Sequence, residues 1–197
     1  MLDRNKKISI VVVWLVLSVG FISVASFDQT TEEVTAVDWE DGGGNDLDLD
    51  LLEVGDIILT RGSDFDKLVP GRWTHATMYV GDGMIIESIE EGVVVRSAEK
   101  LLLSNETGVF RVDVEDEVKE AAVDFAQEQI GKPFNVFWFN KQVNGSSYYC
   151  SELVWASYQV NGVEIDANPG WSWTYANGVA PTEIADHPNT TKVATGQ

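Results

Sequence analysis

From residue 54 onward the chain alternates short apolar, β-branched runs with glycine-centred breaks. Val54-Gly55-Asp56-Ile57-Ile58-Leu59 opens this pattern, and 55–61 reads as a strand, followed by a loop over 62–73 with the turn signal Pro70-Gly71. Residues 74–80, Gly81-Asp82-Gly83 and 84–89 read as a β-hairpin, 92–96 as a short strand, 97–103 as a helical turn or two, and 108–114 as another strand. The clearest helix spans 116–130, with Val118, Ala121, Ala122, Phe125 and Gln129 on one stripe and Gly131 and Pro133 ending it. A second helix starts at Cys150: Leu153, Val154 and Ser157 follow at i+3, i+4 and i+7, and Asn161-Gly162 stops it. Together these elements predict an α+β domain, a small antiparallel sheet or open barrel packed with a few helices.

Ahead of the domain the pattern changes. Residues 1–26 hold Arg4, Lys6 and Lys7, an apolar run over 8–24, and small residues at Ser23, Ala25 and Ser26, which is the arrangement of a secretory signal. At 17 residues the run is long for a signal core and just enough for about 30 Å of hydrocarbon, so an uncleaved membrane anchor is the alternative. Both arrangements keep the basic end inside and export the rest, either to the exterior or to the outer face of the cytoplasmic membrane. No cysteine follows directly on the apolar run, which excludes a lipid-modified cysteine there. Residues 27–50 read as a flexible acidic spacer, with Gly42-Gly43-Gly44 and no Lys or Arg, so that the folded domain is expected over 51–197. Asp46, Asp48 and Asp50 alternate as calcium ligands do, but the glycine and distal glutamate of a calcium loop are missing.

Charge narrows the function classes. A net charge of −19 argues against nucleic acid and anionic membrane surfaces as partners. It fits a salty exterior such as a halophile inhabits, where ions screen the self-repulsion. One cysteine and two distant histidines cannot make a zinc set, and no phosphate loop or dinucleotide fingerprint occurs, so neither metal nor cofactor is expected. The chain is expected to act as a monomer.

The candidate chemistry centres on Cys150. A helix N-terminus presents unpaired N–H groups and the positive end of the macrodipole, both of which favour thiolate over thiol. Outside the cytoplasm a lone cysteine has no disulfide partner in its own chain, which favours a reactive role over a structural one. A nucleophilic thiol needs a base, and His75 lies in the first strand of the hairpin. Counting partners about Gly81 sets Glu87 opposite His75; registers slipped by one or more residues are the alternatives. A carboxylate there would fix the imidazole tautomer and stabilise the imidazolium. His187, before Pro188 in a polar turn, reads as a surface residue and the second choice of base. The Cys150 N–H would face a developing oxyanion, with Tyr149 as candidate second donor. The aromatic runs 136–139 and 171–175 read first as core filling and second as the lining of an apolar cleft, for which Trp73, Phe134 and Trp173 are the residues selected.

The order His75, Glu87, Cys150 resembles the permuted branch of the papain-like, NlpC-type cysteine hydrolases, in which the histidine strand precedes the nucleophile helix. The resemblance extends over Val54–Leu59, Thr74-His75-Ala76, Ile86-Glu87, the loop Ile130–Asn135, Tyr149–Val154 and the segment 179–184. It is most similar to the YiiX-like group, related to the lecithin:retinol acyltransferases, which usually carry a second histidine where this chain has Glu87. The resemblance implies hydrolysis of an amide or acyl bond in peptide, cell-envelope or lipid-linked material through an acyl-enzyme. An acyltransferase or thioesterase of the same fold, and a catalytically silent envelope-binding domain, are the competing expectations.

Overall fold

A computed structural model describes residues 44–62 and 69–197. The signal or anchor expected over 1–26 and most of the acidic spacer lie outside these residues.

Six strands form one antiparallel sheet: β1 (Ile57–Arg61), β2 (His75–Gly81), β3 (Met84–Ile89), β4 (Gly92–Ser97), β5 (Glu106–Val112) and β6 (Thr190–Gly196). Their spatial order is β4-β3-β2-β1-β5-β6, so β1 and β2 are central. Among the described residues three α-helices, α1 (Asp116–Glu128), α2 (Cys150–Gln159) and α3 (Pro181–Asp186), join the sheet, with 3-10 helices at Leu49–Leu51 and Ala98–Leu103. The α+β expectation holds.

The uninterrupted apolar run of β1 has a simple cause, since strand alternation sends successive residues to opposite faces and both faces here are covered. Ile57 and Leu59 join Ala76, Met78, Ile86, Val93 and Phe110 in the main core, closed by Ala122 and Ala126 of α1 and Leu153, Val154 and Ala156 of α2. Ile58, Ile85 and Val109 enter a second cluster with Leu47, Leu52, Ala98 and Leu101. Each of the larger aliphatic burials contributes about 1.5–3 kcal/mol relative to exposure.

That second cluster corrects the spacer assignment. Residues 44–50 belong to the folded domain: Leu47 is buried, Asn45 donates through Nδ2 to Leu101 O at 2.7 Å and Ser104 O at 2.9 Å, and Asp46 accepts from the Gln197 N–H at 3.1 Å. Asp48 accepts from the Asp50 N–H at the start of a one-turn 3-10 helix, Leu49–Leu51. Of the alternating aspartates, Asp48 caps the local 3-10 turn and Asp46 ties down the backbone that follows the last strand. The strand β6 has no counterpart among the elements expected from the sequence; it pairs with β5 across a bulge between Val109 and Phe110, and its Gly196 packs on Asn45 and Leu47, where a Cβ would lie 2.2 Å from the Asn45 side chain.

The hairpin register also differs from the expected one. Thr77, not His75, is opposite Glu87: the turn closes at Gly81 opposite Met84, centred on Asp82-Gly83 instead of Gly81, and an irregularity between Tyr79 and Gly81 takes back one residue of the resulting shift. The slip is two residues, which returns side chains to the same face, so His75 and Glu87 remain diagonal neighbours.

Candidate active site

The start of α2 is fixed from several directions. Tyr148 is fully buried, and its backbone is held by Ser88 of β3, whose Oγ donates to Tyr148 O at 2.6 Å, and by Asn135, whose N–H donates to the same carbonyl at 2.8 Å. Glu152, at the third helical position, reaches back to accept from the Tyr149 N–H at 3.2 Å through Oε2, the reciprocal bond of a capping box. The same carboxylate accepts from Asn135 Nδ2 at 3.1 Å and from the Gln142 N–H at 2.9 Å. Burial pushes the Glu152 carboxyl up and these three donors pull it back. One buried carboxylate thus joins the helix start to the loop 135–142. On the other flank Ser151 Oγ donates to Val179 O at 2.8 Å, and the Val179 N–H donates to the Tyr149 hydroxyl at 2.9 Å.

Cys150 is the first residue of α2, partly exposed, and α2 packs against β2, of which His75 is the first residue. His75 donates from Nε2 to Glu87 Oε2 at 2.7 Å, which leaves Nδ1 as the ring nitrogen to serve the sulfur. Burial alone would push the Cys150 thiol up; the facing imidazolium, with the Ala76 and Ser151 N–H groups, brings it below the ordinary thiol range. Burial likewise pulls His75 down, but the Cys150 thiolate and Glu87 outweigh it and raise His75 to about 10. At neutral pH these shifts describe a thiolate–imidazolium pair. Glu87 is pushed up by burial and pulled down further by His75, Arg96 and Lys100, so it is ionised.

Arg96 was missed in the sequence. Its Nε lies 3.5 Å from Glu87 Oε1 while His75 occupies Oε2. On β4, Val94 faces Glu87 and Arg96 is two residues further, diagonal in the direction opposite to His75. The signal was available: pairing β3 with β4 about Glu90-Glu91 places Arg96 in this position. Sequence position marks Glu152 only as an acidic residue in the first turn of a helix; it does not show the two distant donors, Asn135 and Gln142.

A cavity of about 490 Å³ opens beside Cys150 and His75, walled by Phe134, Val136, Trp138, Tyr149, Tyr175 and Val179. Phe134 and Tyr149 line it as expected. The Tyr149 N–H is committed to Glu152 and its hydroxyl accepts from Val179, so the hydroxyl proton is the donor left to Tyr149. The Cys150 N–H, in the first turn where no intrahelical acceptor exists, retains its candidacy as oxyanion donor. Trp73 is corrected. It is 3% exposed and stacks edge-on with Phe110 at 5.9 Å, in space that Gly108 leaves open, so it is a core residue. Trp173 is 93% exposed and lies outside the cavity lining. The expectation that the aromatic runs fill the core fails, because Phe137, Phe139 and Trp171 are exposed as well. His187 ends α3, where its Nδ1 accepts from the Asn189 N–H at 3.1 Å, and it takes no part in the site.

Comparison with known proteins places this geometry in a lineage. The uncharacterized protein YycO of Bacillus subtilis strain 168 is 29% identical over 125 residues, 61% of this chain and 49% of that protein, so the chain spans about half the length of this curated relative. The crystal structure of the metalloprotein yiiX from Escherichia coli O157:H7 superposes with a TM-score of 0.59 at 23% identity, covering 72% of this chain and 96% of that one, which shows a shared fold. The sequence profile of the permuted papain-like amidase enzymes of the YaeF/YiiX family matches residues 51–194, and the chain belongs to that family.

Proposed function

We propose that the protein is an exported cysteine hydrolase that cleaves an amide or acyl bond with Cys150, His75 and Glu87. The observation that carries this reading is the helix-start thiol facing an imidazole whose far nitrogen is bonded to a carboxylate at 2.7 Å. The Cys150 thiolate attacks the carbonyl carbon, and the developing oxyanion faces the Cys150 N–H. The His75 imidazolium gives its proton to the departing amine or alkoxide as the carbonyl–heteroatom bond breaks, leaving an acyl-enzyme. Neutral His75 then takes a proton from water, the hydroxide adds to the thioester, and the thiolate leaves with the carboxylic acid released. Glu87 holds the ring and its charge throughout, and Arg96 holds Glu87. The apolar cavity suits an acyl or other apolar group beside the scissile bond. Export rests on the basic and apolar pattern of residues 1–26.

The metal of yiiX is not carried over to this chain. Among the described residues no group of three or more His, Cys, Asp or Glu side chains is placed to hold an ion, and the His75 Nε2 is bonded to Glu87. The cavity supports a second reading, transfer of the acyl group to a lipid amine or hydroxyl in place of water, which competition by such acceptors against hydrolysis distinguishes.

Iodoacetamide labelling of the native chain tests the core of the proposal. Cys150 should alkylate near neutral pH, and Cys150→Ala should abolish turnover of any amide or acyl substrate found. Labelling that begins only above about pH 8.5, where an ordinary thiol ionises, would remove Cys150 as nucleophile.

A further inference from the structure

The mouth of the cavity is bordered by two loops, 134–140 and 171–178, joined where the Asn177 N–H donates to Phe139 O at 3.0 Å. Phe137 is 70% exposed on the first loop, and Trp173 leans on Trp171 at 4.6 Å on the second. Phe139 and Trp171 are exposed too. Exposed aromatic side chains gathered on two hydrogen-bonded loops mark a contact face. Its electrostatics are equally distinctive. In a chain of net charge −19, no Asp or Glu occurs between Glu128 and Glu152 or between Asp166 and Glu183, the two stretches that supply these loops. Among the described residues lining the cavity, Glu90 is the one carboxylate.

We propose that this rim docks on a lipid bilayer with uncharged headgroups, with Phe137, Phe139, Trp171 and Trp173 seated at the lipid–water boundary and the cavity mouth opening toward the lipid. Tryptophan favours that boundary, and a neutral patch is the part of an acidic protein that can approach a bilayer without repulsion. Nineteen residues separate the apolar run 8–24, as an anchor, from Gly44. Extended, that connection spans at most about 65 Å, which keeps the domain beside the membrane. An envelope glycan is the competing partner, but sugar hydroxyls demand hydrogen-bonding groups beside the aromatic ring. Here the Asn135 side chain is already committed to Glu152 and to the Phe137 N–H.

The test uses the full chain in phosphatidylcholine vesicles with and without brominated acyl chains, and needs no turnover. Subtracting the quenching seen in Trp171→Phe/Trp173→Phe isolates the rim tryptophans from Trp14 in the apolar run. The rim signal should be quenched by the brominated lipid. Phe137→Ser/Phe139→Ser, with the anchor intact, should lose that quenching, since each aromatic group withdrawn from lipid weakens insertion about tenfold. Adding phosphatidylglycerol at low salt should weaken it as well. Unquenched rim tryptophans, unchanged quenching in the double serine variant, or a rim response to soluble peptidoglycan fragments instead of lipid would each overturn the proposal. Because no step involves the thiol, failure here leaves the assignment of Cys150 untouched.

Discussion

Replacing Glu87 by Gln tests the link between the hairpin and the thiol without needing a substrate. The 2.7 Å bond from His75 Nε2 is charge-assisted, and such bonds are about twice as strong as neutral ones. The substituted side chain would still accept through its amide oxygen, so the loss is the charge component, about 1.5 kcal/mol, which equals about one pK unit. The sign follows from the charges: a carboxylate stabilises imidazolium, so its removal lowers the His75 pKa from about 10 toward 9. Cys150→Ala should lower it further, because the thiolate is the largest of the influences that raise it. The chain has two histidines, so imidazole proton or nitrogen shifts followed by NMR against pH report His75 with His187 as internal reference. In the native protein the thiolate–imidazolium pair should persist as pH rises through neutrality and be lost as pH passes about 10. A native His75 that titrates near 6.5, or a Glu87→Gln variant with an unshifted curve, refutes the ion pair and the orienting role together.

Two further perturbations concern the frame around the site. Glu152→Gln sets an amide NH₂ against at least one of the donors now facing the carboxylate, leaving a buried group unpaired; the expected loss is about 2 kcal/mol, a melting midpoint lower by about 4–8 °C, and an unchanged midpoint would show that the loop 135–142 is not held this way. For the whole chain at net charge −19, thermal melts from about 0.1 M to about 1 M potassium chloride should rise in midpoint as the Debye length falls from about 10 Å to about 3 Å, and a flat series would leave the acidity with a role in solubility alone.

What the sequence disclosed and what it hid divide along physical lines. Helix signals are local, and Cys150 with Leu153, Val154 and Ser157 places the start of α2 to the residue; α1 is right within its C-terminal turn. Segments without periodicity are fixed by distant partners instead. Residues 44–50 look like spacer because most of their side chains are polar, yet Leu47 finds a cluster built by β1, β3 and β5, and Asn45 finds carbonyls more than fifty residues away. The strand β6, Thr190–Gly196, carries little apolar alternation and owes its existence to the open edge of β5. The aromatic loops failed for a different reason. Hydrophobicity predicts burial only when something is present to bury against, and Phe137 and Trp173 extend past the last layer of this domain.

The hairpin shows why a wrong register still led to the right pair. Side chains on a strand repeat every two residues, so an error of one would have put His75 and Glu87 on opposite faces, whereas an error of two keeps them on one face and moves them from opposed to diagonal positions. The diagonal has a consequence that direct opposition lacks. With His75 toward one end of β3 and Arg96 toward the other, each takes its own carboxylate oxygen of Glu87, Oε2 and Oε1 respectively. A carboxylate held at both oxygens has little freedom to rotate, and an imidazole bonded to it inherits that restriction. The ring plane of His75 is therefore set by three adjacent strands acting through one side chain. The turn closes at Gly81 opposite Met84, and the extra residue of β2 between Tyr79 and Gly81 completes the arrangement: without it Met78, on the other face from His75, would be opposite Glu87.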